Sequence, residues 1–140
     1  MKIKLEHPSA KIPTRANNWD CGLDLYSVDT FFLQPGERRT IDTGVAIELP
    51  DSYVGYVCPR SGIASRFGIS IVNAPGVIDS GFRGTLKVVL INLGHEPYLG
   101  SVGDKIAQLV VQRCEFPDLE VVDELSGSTR AKRGFGSSGR

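Results

Sequence analysis

Short runs of β-branched and aliphatic residues, cut off at close intervals by turns such as Gln34-Pro-Gly-Glu and Leu49-Pro-Asp-Ser, constrain this chain more than any other feature. Proline lacks the amide that a ladder needs and glycine accepts turn geometry, so this punctuation stops each strand after a few residues. Strands are expected at Lys2 to Leu5, Leu23 to Ser27, Thr30 to Leu33, Arg39 to Thr43, Val45 to Leu49, Val54 to Cys58, Ile69 to Asn73, Thr85 to Asn92, Lys105 to Gln112 and Leu119 to Val122. One short helix is expected around Gly62 to Phe67, with Ser61 as its N-cap and Gly68 near its end. Many short strands with regular turns define an all-β fold: a sandwich, a jelly roll or a closed barrel.

The chain of 140 residues is long enough for one core and too short for two, so a single domain is expected. No apolar run approaches a membrane span, and the opening Met-Lys-Ile-Lys-Leu-Glu alternates like a first strand rather than a signal peptide. Cys21, Cys58 and Cys114 are odd in number and widely spaced, which disfavours a disulfide framework or a zinc site and reads most simply as buried thiols. These features suit a cytoplasmic protein with no membrane partner. The formal net charge is zero, so a broad nucleic-acid-binding face is not indicated.

The most suggestive chemistry lies in Asn73-Ala-Pro-Gly-Val-Ile-Asp-Ser-Gly-Phe-Arg-Gly84, where strand-like segments flank turns that hold Asp79. A hairpin is the expected form. Its glycines let backbone amides and carbonyls approach a flat ligand while Asp79 handles a water. Read alone, Asp79 is more simply an ordinary turn acid. Pro59-Arg-Ser-Gly62 is a second clue: it places a guanidinium and a hydroxyl where the short helix begins, a combination suited to phosphate oxygens or to nothing more than a surface arginine beside a capping serine.

The terminus from Ser126 to Arg140 holds Arg130, Lys132, Arg133 and Arg140 among glycines and serines, without an acid. It reads as a flexible basic arm, or as a plain disordered end. Gly134-Phe-Gly-Ser-Ser-Gly139 matches G-x-G-x-x-G, yet no helix follows and no Lys-Ser/Thr pair is present, so it is neither a dinucleotide fingerprint nor a Walker A loop. Histidines occur only at His7 and His95, away from Ser61, which gives little support to a nucleophilic triad or a transition-metal cluster. Phosphates and oxygen ligands suit Mg²⁺ held largely through a substrate.

Taken together, these segments resemble the trimeric dUTPases, the deoxyuridine 5'-triphosphate nucleotidohydrolases, across nearly the whole chain. Five ordered motifs carry the resemblance: Cys21-Gly-Leu-Asp-Leu-Tyr-Ser27, Pro59-Arg-Ser-Gly-Ile-Ala64, Asn73 through Gly84, Gly103-Asp-Lys-Ile-Ala-Gln-Leu109, and the arm from Arg130 to Gly139. The resemblance implies a jelly-roll homotrimer, residues 1–125 forming the domain and 126–140 an arm that closes over a site built by other subunits. It implies Mg²⁺-assisted hydrolysis of dUTP to dUMP and pyrophosphate, which limits uracil incorporation into DNA and supplies dUMP for thymidylate synthesis.

By position in those motifs, Asp79 is expected to activate the water that attacks the α-phosphorus, with Arg60 and Gln108 as its catalytic companions. Arg60, Ser61, Gly62 and Gln108 are expected at the phosphates. Asn73, Val77, Ile78 and Lys87 are expected around uracil and deoxyribose. Asp24 is expected to hold hydrated Mg²⁺ through water. From the arm, Arg130 is expected at the terminal phosphate, Phe135 over uracil, and Gly136, Ser137 and Ser138 on the phosphates. Phe82 stands where the family usually has tyrosine; the ring that screens the sugar remains and its hydroxyl is gone. Ala131 and Arg133 replace usual glycines, so Arg133 is a candidate to share the phosphate role of Arg130. Two alternatives stay open: a dCTP deaminase of the same fold, which needs a glutamate where Val89 stands, and a catalytically idle trimer that binds partners.

Overall fold

The computed structural model describes residues 1–134. Its strands are β1 (Lys2–Leu5), β2 (Gly22–Tyr26), β3 (Phe31–Leu33), β4 (Arg38–Glu48), β5 (Tyr53–Cys58), β6 (Ile69–Ile71), β7 (Gly76–Ile78), β8 (Thr85–Asn92), β9 (Tyr98–Gly100) and β10 (Lys105–Arg113), and the helix α1 (Ser61–Phe67) lies between β5 and β6. They form two four-stranded sheets, ordered β1-β4-β8-β6 and β2-β10-β5-β7, and a small β3-β9 pair; every pairing is antiparallel. This is a jelly-roll architecture. The two-residue side-chain period of a strand explains the layers: along β8, Leu86, Val88, Leu90 and Asn92 are buried while the alternate residues turn outward. Leu25, Leu33, Ile69, Ile106 and Leu109 join Leu86, Val88 and Leu90 in one continuous core. No helix among the described residues is long and apolar enough to cross a membrane.

Four local expectations need correction. The strands expected at Arg39 to Thr43 and Val45 to Leu49 are one strand, β4, because Gly44 (φ 64°) makes a bulge instead of a turn. Its pairing with β8 slips there, from Asp42 opposite Lys87 to Ala46 opposite Thr85. The segment Leu119 to Val122 forms no strand; its side chains are exposed and no ladder partner reaches it among the described residues. The cap of α1 is Arg60, without a side-chain cap bond, rather than Ser61, while Gly68 closes the helix in the left-handed conformation (φ 70°) as its position suggests. The cysteines are free thiols, but Cys21 is exposed and Cys58 and Cys114 are only partly covered, since none points into the core.

The expected hairpin is also more divided than its sequence suggests. The strands β6 and β8 do pair, with Ile69 opposite Asn92. Between them the chain crosses to the other sheet, where Gly76–Ile78 adds β7 to the outer edge of β5. The excursion places Asp79 at the tip of a loop that both sheets anchor.

Candidate active site

Three strands of the second sheet bring one row of functional side chains into register: Asp24 on β2 lies opposite Gln108 on β10, and Gln108 lies opposite Cys58 on β5. Cross-strand partners point to the same face. The neighbouring residues Leu23, Leu25, Leu109 and Val57 fill the core, so this row faces away from it. Two residues beyond Cys58, Arg60 begins α1 and folds back onto the row, its Nε donating to Asp24 Oδ1 at 2.9 Å. A cleft of about 400 Å³ opens there, lined by Asp20, Cys21, Gly22, Asp24, Arg60, Ser61, Gly62 and Gln108 among others.

The polar contacts fix these groups. Gln108 Nε2 donates to the Pro59 carbonyl at 2.8 Å. Its Oε1 lies against Gly22, where an added Cβ would sit 2.2 Å from that oxygen, so glycine at this position is what lets the carboxamide lie flat. Asp24 is 8% exposed and satisfies its charge twice: Oδ1 with Arg60 and Oδ2 with Lys105 Nζ at 2.7 Å. The hydrogen bond and charge of Asp24 raise the Lys105 pKa above the ordinary lysine value, so Lys105 is cationic at neutral pH. Nothing in the sequence singled out Lys105; it is visible as a site residue only once β10 is paired.

The other expected residues sit elsewhere. Asn73, Val77, Asp79 and Phe82 are exposed on the excursion between β6 and β8, with Ile78 partly covered, Lys87 is exposed on β8, and none lines the cleft. The strand β7 is a sheet edge, so its outer backbone groups face away from β5 and are open to a ligand. The Phe82 ring folds over Gly84, where an added Cβ would meet its Cζ at 2.8 Å. Lys87 Nζ stands 3.9 Å from Asp42 Oδ2 at the surface. The carboxylate of Asp79 makes no hydrogen bond among the described residues; its carbonyl accepts one from the Phe82 amide at 3.1 Å.

Register separates the two groups. Ile78 is opposite Gly55, so Asp79 falls level with Val54, whereas Arg60 lies past the other end of β5. At about 3.4 Å per extended residue, the two are on the order of 15–20 Å apart. Arg130 and Arg133, expected on the arm, are exposed, and among the described residues their hydrogen bonds stay within residues 128–133. The expected contributions of Phe135, Gly136, Ser137 and Ser138 lie outside the described residues.

The fold and this cleft define a class: a jelly-roll protein that presents an Arg-Asp-Lys-Gln cluster suited to anionic oxygens. Residues 8–139 match the dUTPase family model. The chain is 49% identical over 138 residues to the deoxyuridine 5'-triphosphate nucleotidohydrolase of Rhodococcus erythropolis, covering 98% of this chain and 84% of that protein. It is 51% identical over 138 residues to the one of Mycobacterium marinum, covering 94% and 90%. Among solved structures it is similar to the Staphylococcus bacteriophage 80alpha dUTPase with dUPNHPP, at a TM-score of 0.93 and 32% identity over 99% of this chain and 98% of that one. A mutant dUTPase from phage phi11 of S. aureus, described with a structural Mg(II) ion, matches at a TM-score of 0.84 and 29% identity over 90% and 98%. The chain belongs to the dUTPase family.

Proposed function

We infer that this protein hydrolyses dUTP to dUMP and pyrophosphate in sites shared between subunits of a homotrimer. Family membership carries the reaction. The observation that carries the shared site is the division just described: the cleft with Arg60, Ser61, Gly62 and Gln108 faces one way, and Asp79 with its base-reading edge lies roughly 15–20 Å off at the other end of the sheet. One chain therefore holds two half-sites, and a neighbour's Asp79 loop completes each cleft.

In the completed site, the outer edge of β7 at Val77 and Ile78 pairs with uracil, Asn73 and Lys87 border the base and sugar, and Phe82 packs on the deoxyribose where a 2′-hydroxyl would need room. Arg60 and the Ser61 and Gly62 segment take phosphate oxygens. Asp79 accepts the proton of the attacking water as it adds to the α-phosphorus, and Gln108, held by Pro59, orients that water or the phosphate beside it. In-line phosphoryl chemistry depends chiefly on such placement and on charge neutralisation. Residues 126–140 act as an arm in which Arg130, with Arg133 beside it, meets the terminal phosphate and Phe135, Gly136, Ser137 and Ser138 close the site.

Magnesium fits the donor set in one manner. Among the described residues no three His, Cys, Asp or Glu side chains converge, and Asp24 spends both oxygens on cations, so the protein offers no cage of its own. Asp24 and the neighbouring Asp20 suit an ion held mainly by phosphates and reached through water. When bound, Mg²⁺ supplies neutralisation of phosphate charge. The nucleotide substrate and three free thiols fit the cytoplasmic location read from the sequence.

A deaminase would need a proton shuttle at Val89, which is a partly covered aliphatic residue on β8. Pyrophosphate release is expected from dUTP and at most weakly from dTTP, dCTP and UTP; ammonia release from dCTP would overturn the assignment, and silence with all four would favour an idle trimer. The shared site has its own test. Denatured Asp79→Asn and Arg60→Ala chains, refolded together in equal amounts, are expected to recover roughly a quarter of wild-type activity, because half of the sites receive an intact Asp79 and half of those an intact Arg60. A mixture as inactive as its parents would place both residues in one chain's site.

A further inference from the structure

Regular alternation along β10 would send Lys105 to the core side with Ala107 and Leu109, which are both fully buried. The pairing shows why it does not go there. Opposite β2, Gln108 meets Asp24 and Ala107 meets Leu25, but the next partner, Tyr26, is met by Lys105 rather than Ile106. Ile106 is the extra residue of a β-bulge, and it is buried beside Ala107. A bulge shifts the alternation by one position, so Lys105 is turned onto the face of Gln108 and Asp24. Its ammonium then reaches Asp24 Oδ2 at 2.7 Å, and its own carbonyl accepts a long hydrogen bond from Arg60 Nη1 at 3.4 Å.

Charge placement gives this geometry a purpose. Arg60 offers a carboxylate two ways to bind: through Nε alone, or through Nε and Nη2 as a fork. Asp24 binds Nε through Oδ1 only, because Oδ2 is held by Lys105. Among the described residues, Arg60 Nη2 makes no hydrogen bond. Without Lys105, the carboxylate is released to rotate and take both nitrogens.

We propose that Lys105 is a positioning residue for the phosphate half of the site, turning Asp24 so that it grips Arg60 by Nε alone and leaves Nη2 for a phosphate oxygen. The inference rests on the dUTP reading for the identity of the phosphate ligand. It assigns Lys105 no contact with substrate; the residue acts through Asp24 and Arg60.

The test is calorimetric binding of inorganic pyrophosphate and of deoxyuridine to the wild type, Lys105→Met, Lys105→Arg, Arg60→Ala and the Arg60→Ala/Lys105→Met double variant. Methionine keeps the aliphatic stem, so the bulge retains its packing. Lys105→Met is expected to weaken pyrophosphate roughly ten-fold with deoxyuridine unchanged, and Lys105→Arg to restore most of the loss. In the Arg60→Ala background, Lys105→Met is expected to cost nothing further, since its effect runs through the missing guanidinium. Unchanged pyrophosphate binding by Lys105→Met, or additive losses in the double variant, overturns the proposal. A wild type that binds pyrophosphate but leaves dUTP intact would instead defeat the dUTP reading.

Discussion

Asp79→Asn is expected to lower dUTP turnover by about 10²- to 10⁴-fold, equivalent to about 3–5 kcal/mol of barrier, with folding and nucleotide affinity retained. The size follows from removing a general base while keeping its shape: asparagine occupies the same volume and accepts no proton from water at neutral pH. The structure explains why the fold tolerates the change. The Asp79 carboxylate has no hydrogen-bond partner among the described residues, and the turn is held without it, through the Phe82 amide on the Asp79 carbonyl and Arg83 Nη1 on the Ser80 and Phe82 carbonyls. Single-turnover kinetics with dUTP, beside calorimetric binding, separate chemistry from affinity. Near-normal turnover would remove Asp79 from the role of base.

Removing every residue after Gly127 is expected to leave the jelly roll intact and reduce turnover by roughly 10²- to 10³-fold, the scale seen when one preorganised donor to a developing charge is lost. Among the described residues, the last backbone bond from this end of the chain to the body of the fold is the Cys114 amide on the Ser52 carbonyl, just before β5. Beyond it, the described bonds are local, such as Ala131 to Ser128 and Arg133 to Arg130, so among the described residues the truncation deletes no ladder or core contact. What it deletes is the basic end of the chain, with Arg130, Lys132 and Arg133 exposed and cationic, together with Phe135, Gly136, Ser137 and Ser138. Thermal denaturation checks the first half of the expectation and steady-state hydrolysis the second. Full activity in the truncated protein would make the arm a plain terminus.

Much of the fold was legible because strand formation here follows local residue types. The runs at Thr85 to Asn92 and Lys105 to Gln112 are dense in Val, Ile and Leu, and both are strands, with β10 reaching one residue further to Arg113. The misreadings have a common cause in long-range pairing. Gly44 looks like a turn locally, yet it is spanned by β8, which converts it to a bulge inside one strand. Pro75-Gly76 looks like turn punctuation locally, yet the free edge of β5 recruits Gly76–Ile78 as a strand. Leu119 to Val122 has a strand composition, yet among the described residues it pairs with no strand. The five motifs were equally legible as an ordered set, since residue identity and spacing suffice for the family match that the comparisons bear out.

By itself, then, the sequence determined the all-β class, the family, and the inventory of chemistry: a carboxylate in a glycine-bearing loop, an arginine at the helix start, a glutamine on a core strand and a basic arm. Only the tertiary structure decided which of these meet. Register across three strands aligned Asp24 with Gln108 and Cys58, a bulge of one residue brought Lys105 to Asp24, and the pairing of β7 with β5 carried Asp79 away from Arg60. The physical reason is that local propensity selects an extended backbone but does not choose its partner, and a slip of a single residue sends every side chain beyond it to the opposite face.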